Sequence, residues 1–141
     1  MGDSINIWRS LKGLPRGVWI LSAATLINRS GTMVLPFLVL YLTQELEFSA
    51  PRAGFVLAIY GAGSMIAAPL SGRLSDRLGP MPVMRASLVM SGILLFIFPF
   101  FRTFGQVLIV TFVWATVTDL FRPANLAVIA DIVNPDKLKP A

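Results

Sequence analysis

The chain has 141 residues, of which 55% are hydrophobic and only 13% charged, with a formal net charge of +5 and a mean hydropathy of +0.74. A water-soluble domain carries about 25% charged residues to cover its surface, so an integral membrane protein is expected instead. Cysteine and histidine are absent, which excludes disulfides, thiolate nucleophiles, Cys/His metal sites and histidine bases.

Residues 1–16 include the basic stretch "INIWRSLKGLPR". Too short for a domain, this segment is expected to lie along the inner membrane interface, with Trp8 at headgroup depth. A first apolar run follows from Gly17 to Leu42. It exceeds the roughly 20 residues that cross a bilayer and is longer than the apolar core of a cleaved leader, so it reads as a span.

The second span is predicted at Ala53 to Ser71, the third at Met81 to Phe101 and the fourth at Gly105 to Val133, with residues 134–141 as a loop. Between them lie "TQELEFSAPR", "GRLSDRLGP" and "RTF", connections marked by glycine, proline and charge, where helices end at water. Four such runs leave too little polar surface for a soluble α-domain. The two-residue alternation of a membrane β-barrel is also missing. The expected fold is therefore all-α and membrane-embedded, with four transmembrane helices in residues 17–133.

The twelve Lys and Arg residues orient the spans. Arg9, Lys12, Arg16, Arg73, Arg77, Arg85, Lys137 and Lys139 fall on one side if the spans alternate, and Arg52 and Arg102 fall on the other. That bias places the N-terminus and the 72–85 connection in the cytoplasm, in a multi-pass protein of the cell's inner (plasma) membrane. In a membrane chain such basicity marks a face, so no nucleic-acid partner is inferred.

Arg29 and Arg122 remain, both inside apolar runs. An arginine at mid-span costs about 2.5–3.5 kcal/mol on insertion scales, so it is expected to face protein or a wet cavity. In the first span Ser22, Thr25, Arg29, Thr32 and Pro36 recur at intervals of three or four, which sets them on one stripe. Thr111, Thr118, Arg122 and Asn125 form a similar stripe in the fourth, with Asp119 one turn before Arg122. The bland readings are that each hydroxyl bonds its own backbone and that Asp119 simply neutralises Arg122 at i−3. Arg29 has no acidic neighbour in its own helix and is harder to assign to structure alone. Beyond Ser87 and Ser91 the third span is hydrocarbon, and "SGILLFIFPFF" is expected to face lipid. The second span holds Gly54, Ala58, Gly61, Ala62, Ala68 and Gly72, small residues that suit close helix packing.

The stretch "GRLSDRLG", Gly72 to Gly79, resembles the G-x-x-x-D-R-x-G signature of the major facilitator superfamily. "RSGTMVLPFLVLYLTQEL" and "LFRPANLAVIADIVNPDKLKPA" are similar to the first helix and the end of the fourth in drug-efflux-type members. The resemblance covers nearly the whole chain. It departs at Pro80 and Met81, where members often carry basic residues, and at Thr111, near where many proton antiporters place an arginine.

The resemblance implies four helices of an N-terminal six-helix half, with helices one and four lining a central cavity. The chain would then be a fragment ending before helix five, its partners the remaining C-terminal helices of the same protein, membrane lipid and a small-molecule substrate. Implied cavity residues are Asn28, Arg29, Thr32, Asp119 and Arg122; implied gating residues are Gly72, Asp76, Arg77 and Gly79, with Asp131 as an acid partner for Arg77. The expected function is alternating-access transport of small organic solutes, as efflux coupled to protons, with no cofactor, no metal and no catalytic residue. Uptake of an anionic metabolite and a non-transporting four-helix membrane scaffold are the alternatives.

Overall fold

The computed structural model describes residues 16–133, and they are helical apart from short connections. The N-terminal segment with Trp8, the basic residues at 137 and 139, and the loop after the fourth span lie outside them. Helices α1 (Arg16–Thr32) and α2 (Val34–Gln44) are followed by α3 (Ala50–Leu78), α4 (Pro80–Ile97), α5 (Phe104–Asp119) and α6 (Phe121–Val133). A 3₁₀ turn at Phe98–Phe100 closes α4. Among the described residues four helical stretches are long and apolar enough to cross a membrane: Gly17–Gln44, Ala50–Leu78, Pro80–Phe100 and Phe104–Ile129.

The first and fourth stretches are each built of two helices, and proline accounts for both interruptions. Pro36 has no N–H to offer the Thr32 carbonyl, and Pro123 none for that of Asp119. At the first break the Met33 amide is shared between the carbonyls of Arg29 and Ser30, both at 3.2 Å. At the second, α5 ends on Asp119 and α6 begins at Phe121, with Leu120 between them. The start of α5 is held by a capping box formed by Thr103 and Gln106.

Helix α3 runs further than the charge pattern implies. Gly72 through Leu78, expected as a connecting loop, continue the helix, and Gly79 alone separates α3 from α4. Charged side chains at a helix end reach water without disturbing the backbone ladder, so charge alone does not end a helix. Gly79 does, with φ 86° and ψ 152°, a conformation that L side chains rarely adopt. Pro80 then opens α4 in the first turn, where its missing N–H is harmless.

Two apolar clusters hold the spans together. One contains Leu38, Leu42, Ala53, Val56, Phe98, Val107, Val110 and Trp114. There the Trp114 ring lies 5.4 Å from Tyr60 and 6.4 Å from Phe98, centroid to centroid. The other, toward the Gly79 end, contains Leu21, Ala24, Val83, Met84, Phe121, Ala124 and Val128. Between the clusters lies a belt of hydroxyls. Ser91 and Thr118 meet at 2.8 Å, Trp114 Nε1 donates to Ser91 Oγ at 3.3 Å, and Ser87 Oγ donates to the Val117 carbonyl at 2.6 Å. Interhelical bonds of this kind are each worth about 0.6–2 kcal/mol in a bilayer, where burying apolar surface no longer separates helix from lipid.

The close packing of the second span uses a different set of residues from those expected. Ala53, Val56, Gly63, Ala67 and Ser71 form the buried face of α3, a spacing of three, four and seven. A Cβ on Gly63 would sit 2.6 Å from the Phe112 carbonyl oxygen and 2.9 Å from the Ala115 Cβ, so α3 and α5 touch backbone to backbone there. Gly54, Ala58, Gly61, Ala62, Ala68 and Gly72 are exposed, and a Cβ on Gly54, Gly61 or Gly72 would meet nothing within 4 Å. On the third span Ile93, Phe96 and Phe100 are exposed, while Ser87 and Ser91 turn inward.

Candidate solute site between the first and fourth spans

Helices α1 and α6 approach one another where Asn125 Nδ2 donates to Thr25 Oγ1 at 3.4 Å. Around this contact is a recess of about 210 Å³ bordered by Asn28, Arg29, Arg122 and Asn125, with Phe121 and Leu126 as its apolar wall. The α1 positions repeat at the helical interval of three or four, and Asn28 is buried to 7% exposure. Arg29 is exposed. A larger, mainly apolar groove of about 580 Å³ adjoins the recess and shares Thr25 and Arg29 with it.

Arg122 stands at the junction of two spaces. Its Nε lies 3.7 Å from Asp119 Oδ1, with the arginine side chain 58% exposed and the carboxylate 14%. That distance is too long for a hydrogen bond, so the two form a loose charge pair and the guanidinium keeps its donors free. Asp119 and Arg122 also border a second cavity with Ser64 and Ala68. Asp119 thus faces the second span, while Arg122 lines both that cavity and the recess.

Of the residues expected at the cavity, Asn28, Arg29 and Arg122 come together at the recess, and Asp119 reaches it through Arg122. Thr32 does not line it; its Oγ1 donates to the Arg29 carbonyl at 2.8 Å, so this hydroxyl serves its own helix. The fourth-span stripe is divided. Thr111 and Thr118 are buried at 0% and 1% exposure, Thr118 on Ser91, whereas Arg122 and Asn125 beyond the Leu120 break belong to the recess. Thr25 and Asn125 share its most direct contact, and their signal in the sequence was the helical stripe.

The expected gating residues cluster at the end of α3. Asp76 and Arg77 are exposed there, Gly72 has open space where a side chain would stand, and Gly79 makes the reversal. Asp131 lies on α6, but its side chain, and hence its pairing with Arg77, lies outside the described part.

These features describe part of a polytopic membrane protein: apolar spans with a polar recess between two proline-broken helices. The family model of the Major Facilitator Superfamily matches residues 18–140, and the chain belongs to that superfamily. It is 30% identical over 119 residues to the "Multidrug resistance protein MdtG" of Salmonella typhimurium, a match covering 82% of this chain and 29% of that protein. It is 27% identical over 97 residues to the "Uncharacterized MFS-type transporter YceJ" of Bacillus subtilis, covering 69% of this chain and 25% of the relative. The chain therefore spans between a quarter and a third of the length of these relatives. No solved structure matches it significantly.

Proposed function

We propose that this chain supplies the N-terminal four spans of a secondary transporter that exports small organic solutes by alternating access. The observation that carries the reading is the recess joining Thr25, Asn28, Arg29, Arg122 and Asn125 inside otherwise apolar spans. Intramembrane arginines are retained at such cost where they meet a substrate or ion path. In this reading the remaining helices of the same protein close the open side of the recess. The N-terminus is cytoplasmic in the inner membrane, and the α3 end with Gly72, Asp76, Arg77 and Gly79 forms the cytoplasmic gate, with Asp131 paired to Arg77. Asp119, shielded beside Arg122, is the mid-membrane carboxylate available for proton coupling.

The test is the full-length gene product in proteoliposomes under an imposed pH gradient. Gradient-dependent movement of organic dyes is expected, with loss of transport in Arg29→Ala. Failure of every dye to move would overturn the transport reading. Full activity of Arg29→Ala would remove the recess from the pathway.

A further inference from the structure

The charges around the recess do not cancel. Among the described residues no carboxylate lies within ion-pair distance of Arg29, and Arg122 is only loosely engaged, its Nε 3.7 Å from Asp119. At 1.5 Å per residue, Arg29 stands about 18 Å along the helix from Gly17, too deep for its side chain to reach either surface of a layer about 30 Å thick. Two guanidinium groups on one recess of about 210 Å³, with one carboxylate set to the side, leave an excess positive charge. A planar guanidinium offers its N–H donors as a fork that fits an oxyanion two bonds at a time.

Asn125 ties the edge of the recess to the first span. Its Nδ2 donates to Thr25, and its Oδ1 is buried without a partner. The accessible charged donors of the recess are therefore the guanidinium groups of Arg29 and Arg122, and a ligand bearing acceptors suits them.

The neighbouring groove of about 580 Å³ is lined by Val18, Leu21, Leu26 and Ile129 and meets the recess at Arg29. Its volume falls in the range of sites for drug-sized molecules. We propose that the two spaces bind one amphipathic organic anion, its carboxylate, sulfonate or phosphate head between Arg29 and Arg122 and its apolar body along the groove. This deepens the transport reading and rests on it.

The probes are 1-naphthoate, the neutral 1-naphthamide and the cation trimethyl(1-naphthylmethyl)ammonium, used on the full-length gene product in phosphatidylcholine vesicles. Naphthoate is expected to bind at least about tenfold more tightly than naphthamide. Arg29→Gln and Arg122→Gln should each weaken naphthoate by about tenfold or more and leave naphthamide unchanged, the scale of one charge-assisted hydrogen bond. Arg29→Lys should recover part of the loss, and Arg102→Gln, remote from the recess, none should be lost. Equal affinity for acid and amide, or an unchanged naphthoate affinity in Arg29→Gln, overturns the proposal. Displacement of naphthoate by added phosphatidylglycerol would assign the arginines to lipid headgroups and also overturn it. Movement of the cation or amide without naphthoate binding sinks this inference and spares the transport reading. Naphthoate binding without movement of any probe supports the site and counts against transport.

Discussion

The Ser71 hydroxyl donates to the Leu120 carbonyl at 2.9 Å, tying the second span to the break in the fourth. Ser87 does the same from the third span at the Val117 carbonyl. Two fully or nearly buried hydroxyls thereby fix the direction in which α6 leaves α5, and with it the position of Arg122 and Asn125. Replacing both serines by alanine should lower stability by about 1–4 kcal/mol, given about 0.6–2 kcal/mol for each membrane hydrogen bond. It should also weaken solute binding, because α6 loses its anchor. Thermal unfolding of the full-length protein followed by tryptophan fluorescence measures the first effect; an unchanged midpoint would show that the bonds carry no net energy.

Gly63 gives a sharper test of packing. An added methyl group would lie 2.6 Å from the Phe112 carbonyl oxygen, a contact that only separation of α3 from α5 relieves. Gly63→Ala should cost about 1–3 kcal/mol, in the range of overpacked cores. Gly92→Ala, on the exposed part of α4 with nothing within 4 Å, should be neutral or slightly stabilising because alanine favours the helix. Melting of the two variants side by side distinguishes packing from helix propensity.

The contrast between these glycines also shows what the amino-acid order made legible. Hydropathy located the spans, since apolar length is a property of composition along the chain. Helical spacing set Thr25 and Arg29 on one stripe and Arg122 and Asn125 on another, and all four border one recess. Which small residues of α3 touch α5 was not legible: Gly61 and Gly63 differ by about 200° around a helix, and only the partner's position says which is buried. Thr118 was assigned to the polar stripe because the Leu120 break, which divides α5 from α6, has no strong local signal beyond Pro123. Charge likewise misled at Gly72–Leu78, where a long helix simply runs past the apolar region.

At the other end of α3 the reversal into α4 depends on one residue. Gly79 holds φ 86° and ψ 152°, while a Cβ there would find its nearest neighbour, Pro82 Cδ, at an ordinary 3.7 Å. The penalty for Gly79→Ala is therefore conformational, about 1–3 kcal/mol. A lowered melting point is expected together with poorer membrane accumulation. An unaltered melting point would mean that the backbone can turn here in another way.

Gly72 and Asp76 pose the opposite case, since both are exposed and make no side-chain contact that would explain a stability loss. Asp76→Asn should leave stability within about 0.5 kcal/mol of the parent, as surface changes do, and Gly72→Ala, inside an exposed helix, should keep it or raise it by up to about 1 kcal/mol. If this helix end is the gate, both should nevertheless slow turnover several-fold with little change in solute affinity. Turnover and binding measured separately decide the matter: parental turnover in both variants removes the gate from this face.

Asp119 carries the last prediction, because it is the mid-span carboxylate of this chain. Its side chain is only 14% exposed and stands 3.7 Å from the Arg122 Nε, so its charge is balanced while Arg122 stays near. An anion that draws Arg122 toward the recess would remove that balance. Solute loading and the surroundings of Asp119 are then linked by one arginine. Asp119→Asn removes the charge and keeps the shape of the side chain. It should abolish accumulation driven by a pH gradient while sparing exchange of labelled for unlabelled solute, which needs no net proton movement. Gradient-driven accumulation that survives in Asp119→Asn proteoliposomes would place the coupling proton elsewhere in the protein.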